Sequence, residues 1–245
     1  KHMKGTFIVL EGTDGSGKTE QFKKLVRRLK EEKCKVATFD FPQYGKPSSY
    51  FVEEYLNGRY GGWREVGPYK ASLFYAMDRF DIGPRIKKEL ARGKIVVSNR
   101  YVSSNMGHQG AKIKNRNKRL KFFKWLYELE YEILGIPKPD LAIVLHVPAK
   151  IAQKLVDKKG KREYIRWIKK RDIHTADINH LKQAEQTYLE MTKTFPNDFK
   201  LVECVEKAKP RTLRPLRRSG ARGELLSIAE IHEKVWRIVK GVLKK

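Results

Sequence analysis

Glu11-Gly12-Thr13-Asp14-Gly15-Ser16-Gly17-Lys18-Thr19 stands between an apolar run, Thr6-Phe7-Ile8-Val9-Leu10, and a stretch with helical periodicity that begins at Lys18. Residues 12–19 satisfy G-x-x-x-x-G-K-[ST], a spacing that handles phosphate. Gly12, Gly15 and Gly17 let the backbone turn tightly and aim its N–H groups at phosphate oxygens, with Thr13, Asp14 and Ser16 completing the cradle. Lys18 reaches the β and γ phosphates, and the Thr19 hydroxyl is placed to meet Mg²⁺. The flanks supply the context that a Gly-rich turn alone would lack. Residues 6–10 have the continuous apolarity of a strand buried on both faces, and Phe22, Leu25, Val26 and Leu29 fall on one helical stripe. Nucleotide binding is the first expectation.

Similar apolar runs recur at residues 36–39, 95–97, 141–147 and 199–205, each separated from the last by a longer helical pattern. That alternation predicts an α/β fold in which helices flank a five-stranded parallel sheet in a three-layer sandwich, of the P-loop NTPase type. Helices are expected over 18–32, 47–57, 67–91, 101–109, 118–134, 148–157, 175–194 and 227–243, with Gly67-Pro68 opening the third and Gly93 closing it. The whole of 1–245 reads as one domain.

Composition bounds the class of protein. The chain carries 54 Lys and Arg against 28 Asp and Glu, a net charge of +26. Read alone, this points to a nucleic-acid binder. The charge is concentrated, however. Residues 111–124 hold seven Lys/Arg and no acid, 154–171 hold nine against two acids, and 207–222 hold seven against none. The first two runs fall where a phosphate-transferring enzyme uses positive charge. The third, rich in Pro and Arg, reads as an inserted surface arm, either solvated or disordered, or else a site for an acidic or nucleic-acid partner. Cys34 and Cys204 are the only cysteines, which argues against a disulfide framework and for a reducing cytoplasm. No run has membrane-spanning length and no signal-peptide core is seen; Met3 reads as the natural start after a two-residue appendage.

In open parallel sheets, ligands bind beyond the carboxyl ends of the strands. Two further polar and aromatic segments fall on that edge, Asp40-Phe41-Pro42-Gln43-Tyr44-Gly45 and residues 98–110, which begin Ser98-Asn99-Arg100-Tyr101. Within the third helix, Tyr75 and Arg79 are four residues apart and share a face, so a ring that stacks on a base stands beside a guanidinium.

In this order the motifs resemble those of the thymidylate (dTMP) kinases. The resemblance runs from Gly5 to about Leu243, apart from residues 207–222. It rests on Glu11 to Thr19, on Phe41 to Gly45, on Tyr75 to Arg79, on Asn99 to Gln109 as a partial match to D-R-Y-x-x-S-x-x-A-Y-Q, and on a basic lid at 158–171. It implies transfer of the γ-phosphoryl group of ATP to dTMP in dTTP biosynthesis, with Mg²⁺ as cofactor and a homodimer as the assembly. The phosphate loop, Gly12 to Thr19, would bind ATP. Asp14 would reach the sugar hydroxyl of dTMP, Phe41 and Pro42 would border that nucleotide, Tyr75 would stack on thymine with Arg79 beside it, Arg100 would hold the acceptor phosphate, and Asn105 or Gln109 would read the base edge. Several positions depart from the family pattern. Asn99 stands where an Asp assists Mg²⁺, so metal binding is expected to rest on Thr19, Glu11 and the nucleotide, with Asn99 acting through water. Tyr75 replaces a Phe, His108 a Tyr, Gln43 an Arg found in some members, and His174 a Tyr near the lid.

Phosphoryl transfer to an anionic acceptor requires positioning and charge neutralisation rather than covalent catalysis. Lys18 and Arg100 are therefore expected to be catalytic. Gly15 and Ser16 occupy loop positions where some relatives carry an arginine, which moves the expected transition-state cation to the lid, at Arg162 or Arg166, with Lys158, Lys159, Lys161 and Arg171 as competitors. Two alternatives stay open: a kinase for another nucleoside monophosphate or a deoxynucleoside, and a basic nucleic-acid-binding protein that uses the loop as a switch. Helix 118–134, with Phe122, Phe123, Trp125, Leu126, Leu129 and Ile133, is apolar enough for a core face and a partner face together, and equally consistent with a core face alone.

Overall fold

The parity of the first apolar run explains the architecture. In the computed structural model, which describes residues 5–158, 178–206 and 223–243, strand β1 (Thr6–Gly12) sends Phe7 and Val9 to one side of a sheet and Ile8 and Leu10 to the other. All four are at most 1% exposed. Such a strand is stable only when both faces are covered.

Five parallel strands are paired in the order β2-β3-β1-β4-β5. Besides β1 they are β2 (Val36–Asp40), β3 (Ile95–Asn99), β4 (Leu141–His146) and β5 (Phe199–Glu203), matching the five runs read from sequence. One face packs on α1 (Lys18–Glu31), α6 (Ala149–Lys158) and α8 (Ile228–Leu243), through Leu25, Leu29, Ala152, Val235 and Val239. The other packs on α3 (Trp63–Ala91), α4 (Val102–His108), α5 (Arg116–Tyr127) and α7 (Ile178–Thr194), through Ile86, Met106, Phe122, Phe123, Leu126 and Met191. Leu25 and Leu29 are fully buried, so truncating either to Ala costs about 2–5 kcal/mol. A smaller cluster joins α2 (Tyr50–Leu56) to α3 through Val52, Tyr55 and Ala71.

Three helical segments differ in detail from the sequence expectation. The stretch expected as 47–57 begins as a 3₁₀ turn, Pro47–Ser49, before α2. α3 gains a turn, Trp63–Val66, ahead of Gly67, whose φ of 73° and ψ of 170° interrupt it; the continuous helix starts at Pro68, whose missing N–H costs nothing there. The expected 118–134 helix is α5 followed by a wider π-helical turn, Glu128–Ile133. That turn places Glu130 fully inside the protein, where Arg79 receives it. Phe122, Phe123 and Leu126 lie in the core. The strongest exposed apolar stripe is on α3 instead, where Tyr69, Leu73, Met77 and Phe80 are each 41–47% exposed.

Candidate active site

The loop leaving β1 requires glycine for reasons of space. Gly12 has φ +141°, and a Cβ there would lie 2.6 Å from the Leu145 carbonyl oxygen. Gly15, at φ +81°, is pressed against the Ala152 carbonyl of α6. No side chain fits at either position, so the loop itself has no room for an arginine at 15. Lys18 lies back along the loop, its Nζ donating to the Gly12 and Thr13 carbonyls at 2.9 and 2.8 Å, with the Asp14 carboxylate 3.9 Å away. Thr13 Oγ1 and Ser16 Oγ are buried and meet no hydrogen-bond partner among the described residues.

Glu11, just before the loop, is fully buried. Its Oε1 accepts from the Tyr101 N–H and the Ser103 hydroxyl, both at 2.8 Å, and its Oε2 accepts from the Ser104 hydroxyl at 2.8 Å and the Tyr188 hydroxyl at 3.1 Å. A carboxylate offers about four lone-pair positions, and these contacts use them. Glu11 thus anchors α4 and α7 to the loop. The expectation that it helps bind metal is corrected on this ground.

Beyond β3 the chain turns sharply. Arg100 has φ +67°, a left-handed conformation uncommon outside glycine, held by its own N–H donating to the Leu10 carbonyl at 2.9 Å and by Ser98 Oγ donating to the Arg100 carbonyl at 2.8 Å. The turn carries the guanidinium across the cleft, where Nη2 donates to Asp14 and Nη1 lies 3.3 Å from His108 Nε2. Burial lowers the pKa of Arg100, but the carboxylates of Asp14 and Glu11 and the Tyr188 phenol outweigh it and the net shift is upward. Burial, then the neighbouring Arg100 charge, hold His108 well below the ordinary histidine range. A neutral ring facing a donor-only guanidinium must accept through Nε2.

The rest of the cleft wall is built from α3, α4 and the loop after β2. Phe41 and Pro42 follow β2 through a cis peptide. Asp78 clamps this loop, accepting from the Gln43 N–H at 2.8 Å and the Ser48 hydroxyl at 2.6 Å. Arg79 turns inward from the same helix. Its Nε and Nη2 form a paired contact with Glu130 at 2.5 and 2.7 Å, and both side chains are at most 2% exposed. Tyr75, one turn earlier, meets Tyr55 edge-on at 6.4 Å.

A single cleft of about 310 Å³ brings these parts together. Asp14, Gly15, Gly17, Lys18 and Thr19 of the phosphate loop line it together with Phe41, Pro42, Tyr75, Arg79, Asn105 and Gln109, and Asn99 and Arg100 are also on its wall. Gly12, Thr13 and Ser16 stand in the loop behind that surface. Arg162, Arg166 and the rest of 159–171 lie outside the described residues, as does the arm at 207–222. The sequence placed Asp40 on the ligand edge but gave it no role of its own. It closes β2 directly beside Asn99 in the sheet, and Asn99 Nδ2 donates to Asp40 Oδ1 at 2.9 Å. Asp40 opens to the cleft. Its position as the last residue of a strand at the ligand edge was the available signal.

A glycine phosphate loop at the end of the first strand, sharing one cleft with an aromatic and amide-lined recess, defines the protein as a P-loop phosphotransferase. The chain belongs to the thymidylate kinase family, whose profile matches residues 10–209. Thymidylate kinase from Mycobacterium tuberculosis is 32% identical over 180 residues, covering 73% of this chain and 78% of that one. A probable thymidylate kinase from Pyrobaculum aerophilum is 32% identical over 187 residues, covering 74% and 85%. The solved thymidylate kinase from Candida albicans superposes with a TM-score of 0.68 over 97% of this chain and 92% of that one, a likeness of fold at 20% identity.

Proposed function

We propose that the protein transfers the γ-phosphoryl group of ATP to dTMP, giving dTDP and ADP for dTTP synthesis. The observation that carries this reading is the placement of Arg100, tied to Asp14, in one cleft between Lys18 and the recess lined by Tyr75, Asn105 and Gln109. Family membership supports the same reaction. Lys18 moves from the loop carbonyls to the β and γ phosphates, and the buried hydroxyls of Thr13 and Ser16 suit phosphate oxygens. Arg100 aligns and neutralises the acceptor phosphate, while Asp14 holds Arg100 and reaches the acceptor sugar. Tyr75 stacks on the base. The transition-state cation comes from Arg162 or Arg166, a reading that the lack of space for a side chain at Gly15 favours.

The donor set suits Mg²⁺, which prefers hard oxygen ligands. Thr19 offers a hydroxyl and Asp40 a carboxylate within the same cleft. Asp40 supplies the negative charge that Asn99 lacks, and Asn99 orients it. When bound with ATP, Mg²⁺ offsets charge on the β and γ phosphates.

The stripe of Tyr69, Leu73, Met77 and Phe80 on α3 recurs at helical spacing and supports a homodimer through that helix rather than through α5. A reducing, cytoplasmic setting suits the two free cysteines, and no helix among the described residues is long and apolar enough to cross a membrane.

Turnover of dTMP, dUMP, UMP, CMP and thymidine with ATP and Mg²⁺ tests the assignment. dTMP is expected to be the best acceptor; a clear preference for thymidine or CMP would overturn it.

A further inference from the structure

The geometry points to Lys112, which does not line the cleft, as the residue that sets the hydrogen-bond polarity of the base-reading wall and so excludes cytosine. This rests on the proposed dTMP reaction and deepens it. Lys112 ends the 3₁₀ turn Gly110–Lys112. Its Nζ donates to Gln109 Oε1 at 2.5 Å and to the Tyr55 hydroxyl at 2.8 Å, and stands 5.5 and 5.7 Å from the ring centroids of Tyr55 and Trp63. An ammonium only donates. Gln109 must therefore give it the carbonyl oxygen, and its NH₂ is left for the cleft that the residue lines.

Asn105 is fixed by the converse logic. Its Nδ2 donates to the Ser72 carbonyl at 3.2 Å, and a carbonyl only accepts. Oδ1 is thus the amide atom left for the cleft. Both residues are 2% exposed, so neither amide has space to sample other partners in bulk water. The wall presents one donor, from Gln109, and one acceptor, from Asn105.

A 4-oxo pyrimidine, thymine or uracil, carries the complement: N3–H donates and O4 accepts. Cytosine carries the reverse, an N3 acceptor and an N4 donor, and would set acceptor against acceptor and donor against donor. Unpaired polar groups in a closed site are what make such discrimination steep. Removing the ammonium lets the Gln109 amide rotate and offer its oxygen to N4, which relaxes one of the two contacts. Lys112 is thus a positioning residue that acts through Gln109.

The test compares Lys112→Met and Lys112→Arg with wild type, measuring kcat and KM for dTMP, dCMP and ATP. The Met variant is expected to lower the dTMP:dCMP ratio of kcat/KM by about tenfold or more, mainly through KM for dTMP, with KM for ATP unchanged. Arginine, also donor-only, is expected to restore the ratio. An unchanged ratio in a folded Met variant, or equal loss on both acceptors and ATP, overturns the proposal. Gln109→Glu serves as a second probe that keeps the Lys112 contact while presenting oxygen to the base. It is expected to shift the ratio toward dCMP by a similar factor, and failure to do so counts against the proposal. Wild-type protein that turns over dTMP and dCMP equally overturns this inference alone, whereas wild type inactive on dTMP overturns the reaction itself.

Discussion

Arg100 donates from Nη2 to the Asp14 carboxylate across the mouth of the cleft, joining the exit of β3 to the loop that leaves β1. The contact ties together two walls of the same cleft, and the proposed reaction sets ATP on one and dTMP on the other. Asp14→Asn keeps the shape of the side chain but removes the charge that holds the guanidinium. KM for dTMP is expected to rise about tenfold, the usual scale for loss of a charge-assisted hydrogen bond of roughly 1.5 kcal/mol. KM for ATP should change less. Steady-state kinetics with each substrate varied in turn checks this, and the opposite order of effects would show that the two halves have been exchanged.

Lys18→Ala removes the cation expected at the transferring phosphate. The contacts described for Lys18 are local, to two loop carbonyls and near Asp14, so the fold should persist while kcat falls by about 10²–10³. Circular dichroism together with turnover decides it; near-normal activity in the folded variant would sink the assignment.

Glu130→Gln leaves the Arg79 guanidinium in the interior without a counter-charge. Burial opposes the charged form of Arg79, and Glu130 is what reverses the shift and keeps its pKa raised. Breaking one side of such a pair costs about 3–5 kcal/mol. Urea unfolding is expected to show that loss, and because Arg79 borders the recess, dTMP affinity should fall with it. A midpoint equal to that of wild type would contradict the role given to the pair.

His146, at the end of β4, lies between Glu185 at 2.9 Å and Glu203 at 2.6 Å, and Glu185 in turn accepts from the Ala149 N–H at 2.8 Å. Its pKa is raised, first by the hydrogen bond to Glu185, with burial acting against it and Glu203 adding to it. A folded-state pKa above the unfolded value of 6.5 means stabilisation that is complete below pH 6.5 and is lost as pH rises through the raised value. The Tm difference between wild type and His146→Gln is expected to be largest at pH 5.5–6 and to shrink toward pH 9, by roughly a few degrees. Thermal melts across that range, read as the difference between the two proteins, test the sign.

Leu73→Asp places a charge in the middle of the exposed apolar stripe of α3. Sedimentation at micromolar concentration should give a dimer for wild type and a monomer for the variant, with the fold retained because Leu73 contributes to none of the buried clusters. A wild type that sediments as a monomer would remove the homodimer from the reading.

Much of this was legible in the chain because it depends on local patterns. The five strands followed from runs such as Phe7 to Leu10, and the loop from three glycines at fixed spacing. Tyr75 and Arg79 stood out because they share a helix face, and Arg100, Asn105 and Gln109 because their segment follows a strand at the ligand edge and resembles a family motif; all five line one cleft. What sequence could not supply were relationships between distant residues. Nothing near Glu130 announces that a π-helical turn will carry it to Arg79, 51 positions away. Asp40 looked like one acid among others until register placed it against Asn99. Glu11 reads as part of a phosphate loop motif, yet its lone pairs are committed to residues 90 or more positions downstream.

That last feature bears on the order in which a growing chain becomes competent. Tyr188, which donates to Glu11, lies 177 residues beyond it, and Gly107 has no side chain because the Tyr188 ring occupies that space. On the ribosome, the phosphate loop emerges well before Tyr188. It waits for the helix that completes its anchorage, so a truncated product ending before residue 188 should emerge with the motif intact and the nucleotide site unfinished.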